Sequence, residues 1–134
     1  MEKLETLLTR MLWKELGGTL WEDYPLTRRP RSNAPATVGL IDKGGEPEIG
    51  KYFPRTLSGK DIAVVLARPN NPGLFTAGEA LAAVKLLDNQ YEPKTIEGYI
   101  VSVQEDNVLS DLLLGEYPFL KLKVYPMDGL SLAS

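Results

Sequence analysis

The sequence predicts a single α/β domain with a mixed central sheet of about five strands flanked by helices. The nearly continuous apolar run Asp61–Ala67 is typical of a strand that is buried on both faces and central in a sheet. Residues 76–91 follow a break rich in Pro and Asn and carry apolar side chains at helical spacing. A chain of 134 residues is long enough for one domain with a substantial core and too short for two.

The chain is predicted to begin with a helix and a strand. Leu and Met side chains recur at three- and four-residue spacing over residues 2–16, which indicates an amphipathic helix, and the glycine pair at 17–18 ends it. Residues 19–24 are rich in β-branched and aromatic side chains, which favours a strand that stops at Pro25.

A second strand is predicted at residues 36–41, after a proline-rich polar loop. Residues 42–45 form a tight turn whose glycines accept the positive φ that hairpin turns require. Residues 46–60 form a long connection with a short strand near Ile49. Its length exceeds the usual range for compact domains, which points to a functional or mobile loop.

The helix at residues 76–91 is expected to start with a capping box. In this arrangement the Thr76 hydroxyl accepts a hydrogen bond from an amide of the first turn, and Glu79 reaches back to the cap amide. The buried side chains predicted for the whole domain are Leu8, Leu12, Val64, Leu66, Leu81, Val84, Val101 and Leu112.

The last third of the chain is predicted to add two strands and a helix. Residues 97–103 and 120–125 alternate as strands do, and the lysines of the second suit a sheet edge. Asp106 is the expected N-cap of a helix at residues 107–114, with Gly115 as its stop. The element order is therefore α-β-β-β-α-β-α-β within one domain spanning residues 1–134, of which 128–134 are expected to form a tail.

Composition excludes several kinds of chemistry. The chain contains no Cys and no His, so thiolate chemistry and Ser-His-Asp or Cys-His mechanisms are impossible. The net charge of -3 carries no polyanion-binding signature over the whole chain. No segment is apolar for long enough to span a bilayer, and the acidic N-terminus does not look like a secretory signal. We expect a cytoplasmic protein without a membrane partner.

Both the element order and short stretches of the amino-acid sequence resemble the PD-(D/E)XK, or restriction-endonuclease-like, nuclease superfamily. The matching stretches lie at residues 12–18 (LWKELGG), 37–41 (TVGLI), 61–68 (DIAVVLAR) and 78–81 (GEAL). The resemblance covers nearly the whole chain and implies the nuclease-like fold.

The same resemblance implies a degenerate catalytic site. The superfamily holds Mg²⁺ with an Asp on the second strand and a Glu on the third, followed two residues later by a Lys. Those positions fall on Val38, Leu66 and Arg68, so both carboxylates are replaced by hydrocarbon and only the positive charge is kept. Glu5 matches a helix-borne glutamate that some members carry. The resemblance therefore implies no metal at the family position and no cofactor.

A migrated metal site is an open alternative. Asp42 points to the same strand face as Val38, and Glu48 or Asp61 could join it around Mg²⁺. The competing interpretation is local: Asp42 opens a turn, Glu48 is a solvated loop charge, and Asp61 begins a strand.

Nucleic-acid contact is predicted at one basic cluster. Arg28, Arg29 and Arg31 follow one another closely in the proline-rich loop and could grip phosphates of DNA or RNA weakly and without sequence preference. Arg68 could join them, or could instead pair with Asp42 or Glu79. A solvated loop is the alternative for the cluster.

We therefore expect a protein that lacks catalysis and serves as a nucleic-acid-associated or partner-binding module. Two alternatives stay open. One is an active Mg²⁺-dependent endonuclease using the migrated carboxylates. The other is a protein-interaction scaffold without nucleic acid, for example a homodimer formed through the edge at residues 120–125.

Overall fold

The computed structural model describes residues 3–26, 33–70 and 72–126. Within these ranges the chain forms three helices and five strands, in the order that the sequence predicts. They are α1 (Leu4–Leu16), β1 (Thr19–Pro25), β2 (Thr37–Asp42), β3 (Asp61–Ala67), α2 (Gly73–Tyr91), β4 (Thr95–Ser102), α3 (Asn107–Glu116) and β5 (Leu120–Val124). None of the helices in this part of the chain is long and apolar enough to cross a membrane.

The five strands form one mixed sheet in the order β1-β2-β3-β4-β5. The first two pairings are antiparallel and the last two are parallel. Strand β3 is central, between β2 and β4, as the continuous apolar run predicts. Strand β5 lies at the edge, which fits its alternating lysines.

Two apolar layers cover the sheet, one on each face. On one face, α1 packs on side chains that include Ile41, Val65 and Val101. On the other, α2 and α3 pack on side chains that include Val64 and Ile100. Both crossover helices therefore lie on the same face, as two crossovers of the same hand and direction require.

Six of the eight side chains predicted to be buried are buried, and Leu81 and Leu112 are half-buried. In α3 the position that faces the core is Leu113, next to the predicted Leu112.

The predicted capping box at Thr76 and Glu79 is wrong, because α2 starts earlier in the chain. The helix begins at Gly73, with Pro72 at the N-cap, so Thr76 already lies inside the helix and is buried. A proline is tolerated there because the first amides of a helix have no intrahelical acceptor in any case. Glu79 pairs instead with Arg68.

For the other two helices, the predicted N-cap of α3 and the predicted end of α1 are confirmed, and the predicted end of α3 is wrong. Asp106 caps α3 as predicted, since its Oδ1 accepts a hydrogen bond from the Leu109 amide at 2.9 Å. The helix passes through Gly115 and ends at Glu116, so the predicted glycine stop is wrong. Helix α1 ends as predicted, with Gly17 at φ 76°.

The turn at residues 42–45 needs its glycine for a reason other than the predicted one. The described glycines with positive φ do not include Gly44 or Gly45. A Cβ on Gly45 would lie 2.5 Å from the Thr19 hydroxyl oxygen and 3.1 Å from an Asp42 carboxylate oxygen. Close packing against β1 therefore excludes a side chain at residue 45.

The 46–60 connection has a structural role that its length did not suggest. Leu20 of β1 donates its amide to the Glu48 carbonyl at 3.0 Å, and the Gly50 amide donates back to the Leu20 carbonyl at 2.7 Å. The short strand predicted near Ile49 is thus reduced to one isolated bridge, which covers part of the exposed edge of β1. Further along, Leu57 is fully buried in the core under α2.

A β-bulge in β1 decides which of its side chains face the core. Trp21 pairs with Leu40 and Tyr24 with Val38, so three steps along β1 correspond to two along β2. The extra residue lets Trp21 and Tyr24 face the same layer, although they are an odd number of residues apart. Asp23, inside the bulge, takes the left-handed conformation with φ 53°.

If Leu57 anchors the 46–60 connection in the core, Leu57→Ala should lower the free energy of unfolding by about 2–4 kcal/mol. The matched control is Leu114→Ala, because Leu114 is 77% exposed and its truncation should cost no more than about 0.5 kcal/mol. Urea unfolding of the three proteins measures both. Equal stabilities of the Leu57→Ala protein and wild type would show that the connection is not part of the core.

Candidate functional site

A cleft of about 590 Å³ opens on the α1 side of the sheet, where β2 begins and β3 ends. One side of α1, the bulge of β1, and the adjoining residues of β2 and β3 form its walls. The lining residues are Lys3, Glu5, Thr6, Thr9, Arg10, Glu22, Asp23, Thr37, Val38, Gly39, Val65, Leu66, Ala67 and Arg68. All four positions that the nuclease resemblance singles out, 5, 38, 66 and 68, are among them.

The floor of the cleft is apolar. Val65 and Ala67 belong to the layer under α1, and Gly39 pairs with Val65 across the β2–β3 ladder. A Cβ on Gly39 would lie 3.0 Å from Cγ2 of Thr9, so the glycine lets α1 approach the sheet closely. The Thr9 hydroxyl donates to the Glu5 carbonyl at 2.9 Å, so this buried polar side chain has a hydrogen-bond partner.

The rim of the cleft is charged, and its best-formed pair joins α1 to β1. Arg10 donates from Nε to one oxygen of Glu22 at 3.2 Å and from an Nη to the other at 2.9 Å. This two-point geometry is the one that a guanidinium makes with a carboxylate. Glu5 and Asp23 add exposed carboxylates nearby, and Lys3 adds an exposed ammonium. The rim therefore carries both signs of charge.

The side chains at the two carboxylate positions of the resemblance face away from the helix that carries Glu5. Val38 and Leu66 belong to the core layer under α2 and are 4% and 2% exposed. Glu5 lies on α1, on the opposite face of the sheet. Only the backbone at 38 and 66 can reach the cleft, so side chains at these three positions do not converge on one point.

Arg68, at the lysine position, forms one of the two ion pairs anticipated for it. Its Nη2 lies 3.3 Å from Oε2 of Glu79, and its Nη1 donates to the Ala67 carbonyl at 2.9 Å. The Glu79 side chain is 13% exposed, and the pair ties the end of β3 to α2. Much of the positive charge of Arg68 is thereby balanced within the fold.

The three carboxylates of the migrated-site alternative are engaged separately. Asp42 accepts a hydrogen bond from the Gly44 amide at 3.2 Å, and its other oxygen lies 3.7 Å from the Lys60 ammonium. Asp61 accepts a hydrogen bond from the Thr95 hydroxyl at 2.7 Å. Glu48 is exposed and takes part in the β1 bridge through its backbone. Within residues 3–26, 33–70 and 72–126, no three Asp or Glu side chains are grouped so that they could hold a metal ion.

The predicted basic cluster cannot be placed. Arg28, Arg29 and Arg31 all lie outside the described residues. Nucleic-acid binding by these arginines stays a prediction.

A second charged cluster lies on the α1 side of the sheet, toward its β5 edge. Glu97 of β4 accepts hydrogen bonds from the Lys43 ammonium at 2.8 Å, the Tyr99 hydroxyl at 2.9 Å and the Lys121 ammonium at 3.2 Å. Lys121 also lies 5.7 Å from the centre of the Tyr99 ring. The cluster links β4, β5 and the turn that follows β2.

Burial and hydrogen bonding oppose each other at Glu97. Burial by itself raises the pKa of the carboxyl, but the hydrogen bonds from Lys43, Tyr99 and Lys121 outweigh it and hold the pKa below its ordinary value. At Tyr99 burial and the neighbouring carboxylate act in the same direction and raise the pKa to about 12. Both groups therefore keep their usual charge states at neutral pH.

Sequence reasoning missed Glu22 and Glu97, and the available signals were weak. Glu22 sits at a polar position of β1 facing Arg10, which lies off the apolar stripe of α1. Glu97 shares a strand face with Tyr99, and the lysines of β5 alternate in the same way. Each pairing depends on strand order, which alternation alone does not specify.

Comparison with protein-family models, with curated proteins and with solved structures finds no match for this chain. Membership of the PD-(D/E)XK superfamily therefore stays a prediction from the sequence.

The cluster around Glu97 predicts a pH-dependent contribution to stability. Glu97→Gln should lower the free energy of unfolding by about 1 kcal/mol at pH 7, since both lysines are partly exposed and solvent screens them. Because the pKa of Glu97 is lowered in the folded protein, its contribution is complete above the unfolded value of about 4.3 and disappears as pH falls through the folded value.

Urea titrations of wild type and variant should therefore converge as the pH is lowered from about 5 toward 3. Glu116→Gln is the matched control, because Glu116 is exposed and the substitution removes the same charge as Glu97→Gln. A Glu97→Gln difference that stays constant over this range would contradict the linkage.

Proposed function

We propose that this chain is a nucleic-acid-associated binding module of nuclease-like fold that lacks metal-dependent catalysis. The observation that carries the non-catalytic part is the placement of Val38 and Leu66. The resemblance requires carboxylate oxygens there, and these positions hold hydrocarbon side chains packed in the core under α2. A hard cation such as Mg²⁺ needs oxygen ligands, and these two side chains offer none.

The state of Arg68 supports the same proposal. A lysine at this position in a nuclease helps to activate water and to stabilise the phosphate. A guanidinium group is not a general base at neutral pH, and Glu79 already occupies the Nη2 of Arg68. Its contacts are those of a residue that joins β3 to α2.

The nucleic-acid part of the proposal rests on the sequence of the proline-rich loop. Arg28, Arg29 and Arg31 place three guanidinium groups within four residues, and guanidinium is well matched to phosphate. The cleft adds little to this charge because its Arg10 is paired with Glu22. We therefore assign phosphate contact to the three arginines and only a minor share to the cleft.

Duplex DNA binding should be weak and strongly dependent on salt. Three phosphate contacts give a slope of log K against log salt of about −3, with dissociation constants in the micromolar range or weaker at physiological salt. Fluorescence anisotropy with a labelled duplex should show this slope for wild type. Arg28→Ala/Arg29→Ala/Arg31→Ala should lose most of the binding, whereas the matched control Lys85→Ala, at an exposed position on α2, should retain it.

The same samples, supplied with Mg²⁺ and separated on a denaturing gel, should contain intact DNA. No binding at low salt, or binding unchanged in the triple variant, would remove these arginines from the proposal. Cleavage that is lost in Asp42→Ala would favour the migrated-site nuclease instead.

A further inference from the structure

The middle of the 46–60 connection presents aromatic rings to solvent. Tyr52 is 86% exposed and Phe53 is 50% exposed, and they are adjacent in the chain. Single exposed apolar residues are common on protein surfaces and need no explanation. Two neighbouring aromatic side chains within one basic segment are a more specific feature. We name residues 49–60 the aromatic–basic loop.

The backbone of the aromatic–basic loop is fixed on the body of the protein. The indole N–H of Trp21 donates to the Tyr52 carbonyl at 2.7 Å. The Phe53 ring packs edge-on against Tyr24, with ring centres 5.3 Å apart and an interplanar angle of 78°. Leu57, further along the loop, is buried in the hydrophobic core and anchors the loop there. The Phe53 ring and the backbone that carries Tyr52 are therefore held in place before any ligand arrives, which lowers the entropic cost of binding.

The charge of the loop is positive and only partly balanced. Residues 49–60 contain Lys51, Arg55 and Lys60 and no acidic residue. Lys60 is engaged, with its ammonium 3.7 Å from Asp42 and 5.7 Å from the centre of the Trp21 ring. Lys51 and Arg55 are exposed, and none of the acidic side chains in the described part of the chain forms an ion pair with them.

We propose that the aromatic–basic loop binds single-stranded nucleic acid. Unpaired bases stack on Tyr52 and on the exposed side of Phe53, and the flanking phosphates contact Lys51 and Arg55. Aromatic side chains beside cations are the usual means of binding single strands without sequence preference. A duplex would offer the phosphates without the base faces, because its bases are already stacked on one another. The inference adds a second surface, and it does not depend on Arg28, Arg29 or Arg31.

Fluorescence anisotropy with a labelled oligothymidine of about 15 nucleotides, near the upper footprint of one single-strand-binding domain, tests the proposal. Tyr52→Ala removes a ring that packs on nothing in the core, so the variant should fold normally. Tyr52→Phe keeps the ring and serves as its conservative partner. Lys51→Gln/Arg55→Gln removes the two cations, and Lys85→Gln is the control for loss of an exposed lysine elsewhere.

Wild type should bind the oligothymidine at low salt. Tyr52→Ala should bind about 5- to 150-fold more weakly, since stacking on one ring has that magnitude, and Tyr52→Phe should bind nearly as wild type does. The double variant should also bind more weakly, and its salt slope should be smaller in magnitude by about 1.4, because each single-strand phosphate contact contributes about 0.7.

Three results would overturn the proposal. One is an absence of oligothymidine binding at low salt, and another is binding that Tyr52→Ala leaves unchanged. The third is a wild type that sediments as a dimer and becomes monomeric on Tyr52→Ala, because the rings would then serve a second copy of the chain. A competition assay has the same meaning as the second result. If unlabelled polyglutamate displaces the labelled oligothymidine as well as unlabelled oligothymidine does at equal charge, charge alone explains the binding.

The arginine and loop variants separate this inference from the proposed function. If Arg28→Ala/Arg29→Ala/Arg31→Ala abolishes duplex binding while Tyr52→Ala leaves oligothymidine binding intact, the loop is not a binding surface and the proposed function stands. If the arginine variant changes nothing and Tyr52→Ala weakens single-strand binding, the loop carries the nucleic-acid contact and the arginine assignment is wrong.

Discussion

Strand β3 has no face in contact with solvent, and most of the architecture follows from covering it. Its side chains alternate between two apolar layers, and residues 62–66 are each no more than 2% exposed. Burying a Val, Leu or Ile side chain contributes about 1.5–3 kcal/mol, so a strand of this composition is stabilised only if both faces are covered. Helix α1 covers one face and can do so closely because Gly39 leaves room for Thr9. Helices α2 and α3 cover the other, and the 46–60 connection completes that layer with Leu57.

The same burial constrains the chemistry of the molecule. A carboxylate at position 38 or 66 would have to lose its hydration inside the layer under α2, at a cost of several kcal/mol unless it were paired. The polar groups lie instead at the margins of the sheet, where Arg10 meets Glu22, Arg68 meets Glu79 and Glu97 meets two lysines. The first two pairs each connect a helix to a strand, and Glu97 connects β4 to β5 and to the turn after β2. The described cations that remain exposed and without an acidic partner include Lys51 and Arg55, and they lie on a loop instead of in the cleft.

The sequence predicts the fold much better than the site. The apolar run of β3 and the helical stripes gave the element order, the central strand and the edge strand, because these depend on burial pattern alone. The predicted start of α2 was wrong because Thr76 and Glu79 match the capping pattern locally, whereas the helix begins earlier, with Pro72 as its N-cap. The face on which Val38 and Leu66 lie relative to Glu5 depends on three-dimensional packing that motif spacing does not report. The arginine cluster was identified as the chain's one basic cluster because its residues are nearly consecutive, whereas Lys51, Arg55 and Lys60 are spaced along a loop whose exposure only the structure reveals.

The central proposal is that this α/β domain has no divalent-metal site of the kind that nucleases use, and diffraction from crystals soaked in Mn²⁺ tests it most directly. Anomalous scattering locates Mn²⁺ without depending on activity or on a chosen substrate. The account predicts no anomalous peak coordinated by side chains in the cleft or around the turn at residues 42–45. A peak within coordination distance of Asp42 together with Glu48 or Asp61 would contradict it and would restore the metal-dependent nuclease as the function of this chain.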